Sequence, residues 1–451
     1  MASAPHQAIV PRPRPGLEGS LHPDFRPVAA VLARQLRSYA GGAAVCVYHR
    51  GECVVDLWGG TMDRAGRPWR RDTMSPSFST TKGVASTLVH IMVDRELLDY
   101  DARVADYWPE FGRAGKQKIT LRQVLAHQSG LYHIRQMIDH ADRMLDWDYM
   151  IRAIERTRPI HEPGERTGYH GLTYGFLVGE ILQRVTGEPF ARLVQKELAE
   201  PLGVDGMYIG APDQVLHRAA ELIWSESAQR LRRARVRPAM KRLGKLIGGA
   251  SSLLGRGMGV VGIDMDLGSI LDALAPRGID SFDFGAHETL RVAIPAVNGL
   301  FTARALARMY SALAAGGEID GVRLLSSQTL HRAIEKQDAA PGRAVLPFDM
   351  RWRLGYHGVA TTRGFPSRAF GHFGFGGSGA WADPRRELSV AMIANSGMGT
   401  PFGDTRLPRI GGAALVAALR RGGSRVVQRR SRKRLSSVLN ALTARKTDPD
   451  S

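Results

Sequence analysis

Strand-forming sequence in this chain sits near its two ends and hardly anywhere between. Close to the start, the β-rich runs Ala43–Tyr48 and Cys53–Trp58 flank Arg50-Gly51, the pattern of a hairpin. Close to the end, Ala369–Phe373, Gly379–Ala382 and Leu388–Asn395 follow one another, the last two joined by the turn Asp383-Pro384-Arg385-Arg386. From about 100 to 345 the apolar residues recur at helical spacing instead, as in Leu121–Gln128, Leu172–Thr186 and Ala303–Ala315, between loops marked by Pro and Gly. Strands at both ends with helices between them imply one sheet built from the two termini, and short turns between successive strands make it antiparallel. The expected fold class is therefore α/β of the α+β type. An antiparallel sheet is flanked by helices over 24–38 and roughly Leu407–Arg420, and a mainly helical domain is inserted in it. The expected divisions are a loose, Pro-rich segment 1–22, a sheet-bearing part over about 23–100 and 346–420, and a helical part over about 101–345. A basic insertion at 225–260 and a basic tail at 421–451 complete the chain.

Charge separates these parts. Hydrophobic residues at 43% and charged ones at 23% describe an ordinary globular protein with ample length for a core. The net charge of +19 is local: eight basic and no acidic residues lie in Arg230–Lys245, and ten basic with none acidic in Arg420–Lys446. The remainder is close to neutral, unlike a nucleic-acid-binding domain, and the tail has no aromatic side chain to stack on bases, so specific nucleic-acid recognition is not expected. Leu231, Val236, Met240, Leu243 and Leu246 sit among the charges of the first segment. That mixture suits a cap touching an anionic membrane surface, although a solvated helical insertion has the same composition. The tail reads as a disordered extension.

The N-terminus lacks the apolar core of a signal peptide, and no run approaches the ~18 apolar residues of a spanning helix. The only cysteines are Cys46 and Cys53, and so few thiols fit a reducing compartment. A cytoplasmic location, with peripheral membrane association left open, is the expectation. A two-residue turn at Arg50-Gly51 would set residue 48 opposite 53 and 46 opposite 55. The cysteines then become diagonal neighbours, a poor geometry for a disulfide.

Three motifs carry chemistry. Ser79-Thr80-Thr81-Lys82 opens a helix. A serine hydroxyl needs a base within hydrogen-bond reach, and residues i and i+3 share a helix face, so the lysine arrives beside it. The helix N-terminus adds free N–H groups and a positive field for a developing oxyanion. Desolvation would help Lys82 act as a neutral base. Alone the motif is weak, since an N-cap serine with an exposed lysine gives the same pattern. Tyr169-His170-Gly171 follows Pro163-Gly164 and precedes the helix at Leu172; a phenol near a lysine can relay the proton to a leaving group. His372-Phe373-Gly374 lies on a β run ahead of Phe375-Gly376-Gly377. Small residues there let a substrate carbonyl approach the backbone, and the Phe375 N–H would be a second oxyanion donor.

Taken in order, these motifs resemble those of the β-lactamase-like serine hydrolases, which include class C β-lactamases, DD-peptidases and the family VIII-type carboxylesterases of the same fold. The resemblance covers roughly 25–420 and is supported by Leu125-Ala126-His127-Gln128-Ser129-Gly130-Leu131, Pro163-Gly164 and Asn298-Gly299. It implies a β-lactamase/transpeptidase-like fold, Ser79 as nucleophile, Lys82 and Tyr169 as the base pair, and His372-Phe373-Gly374 as the substrate-binding strand. Two departures matter. Gly171 stands where β-lactamases of this class carry an Asn that contacts the substrate amide, and His372 stands where they carry a Lys that pairs with a carboxylate. Losing both weakens recognition of an anionic amide and leaves acyl transfer intact. An ester, lipid-like if the basic cap delivers it, is the implied substrate. A β-lactamase or DD-peptidase is the alternative within the class, and an inactive binder of acylated or cell-wall ligands the alternative outside it. No Gly-x-Ser-x-Gly elbow, His-Glu-x-x-His or phosphate-binding Gly-rich loop occurs, so neither metal nor cofactor is expected.

Overall fold

A computed structural model describes residues 16–224, 267–346, 348–397 and 404–421. The basic insertion, and the tail beyond Arg421, lie outside the described residues. Seven strands form the main sheet: β1 (Glu18–Leu21), β2 (Gly42–His49), β3 (Glu52–Gly60), β4 (His357–Gly358), β5 (Phe370–Phe373), β6 (Gly379–Asp383) and β7 (Leu388–Ala394). Their order is β1-β3-β2-β7-β6-β5-β4, antiparallel throughout. The two ends of the chain meet where β2 pairs with β7, from Leu388 opposite His49 to Ala394 opposite Ala43.

Helices cover both faces, so both faces are apolar. On β7, Leu388, Val390, Met392 and Ala394 join Val45 and Val47 of β2 in one cluster, together with α1 (Arg26–Ser38) and a helix over 406–421. Ala391 and Ile393 alternate with them and join Cys46 and Tyr48 in the opposite cluster. Burial on both sides makes β7 read LSVAMIA, nearly continuous in hydrophobicity.

The structure corrects three expectations. Residues 18–21, expected to be loose, form the edge strand β1; a four-residue strand with one partner carries too short an alternation to announce itself. The helix Ala303–Ala314, expected within the helical domain, lies on the sheet. There Ser389 Oγ donates to Ala307 O (2.7 Å) and Arg304 forks onto Asp56. An amphipathic stripe records that a face is buried, not what buries it. In the hairpin, Tyr48 faces Cys53 as expected, but a bulge sets Cys46 opposite Asp56, not Val55; both cysteines are free thiols, with their sulfurs 3.8 Å apart.

The helix α2 (Thr80–Asp94) is buried on every side, as a helix between two layers must be. It runs between the sheet, at β5, and the helical region, at α3 (Thr173–Thr186). Its N-terminus therefore emerges where the two parts meet. Among the described residues no helix is long and apolar enough to cross a membrane. Because β7 joins the two ends of the chain, truncating its buried side chains should act on the whole molecule. Ile393→Ala is expected to cost about 2–5 kcal/mol, against about 0.5 or less for Ile160→Ala at an exposed position. Urea unfolding of the two variants checks this.

Candidate active site

The segment entering α2 is bent and pinned. Ser75–Pro76 pairs with Leu300–Phe301, Ser77 N–H donates to Gly299 O, and Gly299 N–H donates to Thr81 Oγ1 (2.9 Å each). Phe78 is then driven into the left-handed region at φ 46°. A non-glycine residue there costs on the order of 1–3 kcal/mol and persists only where its surroundings impose it. The turn delivers Ser79 to the N-cap of α2, yet its hydroxyl caps nothing. It faces Lys82 and Tyr169 instead.

Lys82 is 0% exposed. Its Nζ lies 3.1 Å from Ser79 Oγ, 2.7 Å from Gly171 O and 3.0 Å from Ala296 O. No carboxylate offsets the desolvation, and burial holds the amine well below the ordinary lysine range. A neutral amine has two N–H donors and one lone pair. In that form the two carbonyls would take both donors and the lone pair would face Ser79 Oγ. Asn298 shapes the loop bearing Ala296: its side chain accepts from Ile294 N–H and donates to Thr289 O and Val292 O. These buried features exclude the plain N-cap reading of the Ser-x-x-Lys motif.

Tyr169 OH donates to Ser79 Oγ at 2.7 Å. Burial raises its pKa, so the resting group is a protonated phenol. Its ring is stacked near Trp352 (centroids 5.7 Å, 15°) and His372 (6.5 Å, 30°), with His127 edge-on at 5.1 Å. His372 is itself buried, first by desolvation and then by the neighbouring His357 and Lys82 held well below its ordinary pKa. The residue standing where a family lysine would be is thus uncharged.

Neither the Ser79 nor the Phe375 N–H donates to a backbone acceptor among the described residues. Gly374 brings them together, since a Cβ there would lie 2.2 Å from Ser77 O. The turn carrying Phe375 is held from behind by Arg406, 3% exposed, which donates to Gly376 O and Ser396 O and pairs with Asp404. Gly171 contributes its carbonyl alone, and a Cβ on it would fall 2.1 Å from Leu274 Cδ2 at the end of α4 (Leu267–Leu274). An apolar side chain therefore fills the place a larger residue at 171 would claim.

All seven residues singled out in the sequence are accordingly at or beside one serine. Ala296, Trp352, Leu274 and Arg406 escaped notice. Two of these act through a carbonyl or from behind a turn, and such roles leave no residue-type signature. Asn298-Gly299, two residues beyond Ala296, was the available signal.

Gly374→Ala should lower kcat by about 10²-fold or more, by pushing the Phe375 N–H out of line, while the fold survives; steady-state rates alongside thermal melting check this. The buried histidines predict a pH effect on stability. Burial lowers His170 to about 3 and His357 to about 4, so below about pH 6.5 the unfolded chain takes up protons that the folded one refuses. The contribution of these histidines should be level above that pH and fall by about 1.4 kcal/mol per unit for each of them on acidification. Urea midpoints at pH 7 and 5 measure it, and equal midpoints would refute the assignment.

A beta-lactamase family model matches residues 29–415. The chain is 36% identical over 390 residues to the esterase/beta-lactamase LipL of Mycobacterium tuberculosis, covering 84% of this chain and 82% of that protein. Among solved structures, a penicillin-binding protein homologue from Caulobacter crescentus is similar at a TM-score of 0.74 and 33% identity, over 89% of this chain and 99% of that one. A family VIII carboxylesterase is similar at 0.73 and 32%, over the same shares, 89% and 99%.

Proposed function

Since the chain belongs to the beta-lactamase family, and so to a family of esterase/β-lactamase-fold hydrolases, we propose that it is a carboxylesterase working through an acyl-enzyme on Ser79. The observation that carries the proposal is the convergence of Lys82 Nζ and Tyr169 OH on Ser79 Oγ. Lys82 removes the serine proton as Oγ attacks the ester carbonyl. The N–H groups of Ser79 and Phe375 receive the oxyanion. When the carbon–oxygen bond to the alcohol breaks, the Tyr169 phenol protonates the leaving oxygen and is restored by the Lys82 ammonium. Water then attacks the acyl-enzyme, its proton passes to the same pair, and Ser79 leaves protonated as the acid departs.

Esters are favoured over anionic amides by what lies beside the serine. His372 offers no cation for a carboxylate, and Leu274 replaces any polar side chain over Gly171. The similarity to proteins described as esterases supports the same choice.

The test is hydrolysis of p-nitrophenyl esters by wild type, Ser79→Ala, Lys82→Ala and Tyr169→Phe, with nitrocefin in parallel. Ester turnover should disappear with Ser79 and fall about 10²–10⁴-fold without Lys82. Nitrocefin turnover exceeding that of esters would move the assignment to a β-lactamase. The pH profile has a fixed sign. The base must be neutral, so kcat/KM should fall on acidification only through a pKa well below the ordinary lysine value of about 10.4. An acid limb at that ordinary value would contradict the buried amine.

A further inference from the structure

Four aromatic side chains cluster at the turn that carries Phe375. Phe78, one residue before Ser79, has its ring centroid 5.4 Å from Phe375, 5.9 Å from Trp224 and 5.4 Å from Phe284. Trp224 and Phe375 are 5.4 Å apart. A cleft opens among them, lined by Phe78, Leu222, Trp224, Phe375 and Gly376 and closed by the segment 394–397. The backbone fixes it in advance. Ile223–Trp224 pairs in parallel with Ser396–Gly397, and a Cβ at Gly397 would lie 2.6 Å from the indole ring. Arg406 ties Gly376 and Ser396 together beneath it.

A second cleft includes Tyr169, whose OH donates to Ser79 Oγ. Its lining is mixed, with Tyr169 and Trp352 beside Gln128, Gln337, Asp338 and Arg343.

The valence of the reacting carbon decides which cleft takes which half of a substrate. Once Ser79 Oγ is bonded, that carbon carries three other groups. The oxyanion faces the N–H groups of Ser79 and Phe375. The leaving oxygen must face Tyr169 OH, which gives it a proton. The acyl substituent has the remaining direction, along Phe78 and Phe375. We propose that the aromatic cleft is the acyl site, that it selects apolar acyl groups, with Trp224 as the specificity-determining side chain, and that the mixed cleft takes the alcohol. This rests on the esterase reading above. The lining is largely apolar and aromatic and carries no charged side chain among the described residues, so it gains from each buried methylene and gives a carboxylate or ammonium on the acyl group no ion pair. A polar alcohol, by contrast, meets amide and charged side chains.

The experiment uses the full chain, with p-nitrophenyl acetate and hexanoate as one series and ethyl and hexyl acetate as the other. Fold is monitored by circular dichroism and thermal melting. Trp224→Ala should reduce the hexanoate-to-acetate ratio of kcat/KM by roughly ten-fold, Trp224→Phe should restore most of it, and the ethyl-to-hexyl ratio should stay where it was. An unchanged acyl ratio in a folded, ester-cleaving Trp224→Ala overturns the site and leaves the esterase reading standing. A change in the alcohol series instead overturns the assignment of the two clefts. Wild-type inactivity on all four esters overturns the esterase reading, and this inference falls with it.

Discussion

A lysine side chain sealed from water, with two backbone carbonyls and a serine oxygen within hydrogen-bond distance of its Nζ, is the constraint around which the rest of the structure is arranged. Lys82 tolerates burial only because Gly171 O and Ala296 O satisfy it. They suit an amine better than an ammonium, since carbonyl oxygens are weak compensation for a full charge and no carboxylate among the described residues offsets its burial. The same desolvation that makes the ammonium unfavourable suits the amine to the base role proposed for it. Stability and reactivity draw here on one arrangement.

That arrangement needs three distant pieces of chain in register to within a hydrogen bond. The α2 end comes from the sheet-bearing part, the Gly171 and Ala296 carbonyls from the helical region, and the Phe375 turn from the returning C-terminal strands. The pairing of β2 with β7 closes the chain on itself and sets β5 beside α2. The hydrogen bonds between Ser77, Thr81 and Gly299 then lock the helical region to the same turn. The strained Phe78 is where these demands meet, and the surrounding bonds explain why it holds.

Much of this was legible in the sequence. β-rich runs at both ends gave the sheet, and Ser79, Lys82 and Tyr169 could be singled out because the chemistry proposed for them lies in their side chains. The strand β1 was too short to signal, and the Ala303–Ala314 helix showed a buried face without naming its partner. The acceptors on Lys82 were invisible for a different reason: every residue has a carbonyl, and only the fold says which one points inward. Leu274 could not be seen as the occupant of the space over Gly171, because a missing side chain in sequence does not reveal what fills its volume.

This split between side-chain and backbone roles has a consequence for how the site responds to change. The proposed oxyanion donors and the lysine acceptors are main-chain groups, so no change of side chain short of proline deletes them. Other substitutions displace them, by crowding at Gly374 or by releasing Gly376 and Ser396 from Arg406. Such changes act on the chemical step for every substrate alike. Apart from Tyr169, the two clefts are lined by side chains with no part in the proposed proton transfer, among them Trp224 and Leu222 in one and Gln337 and Arg343 in the other. Changes there redistribute binding energy among substrates while the reacting centre stays where the backbone holds it.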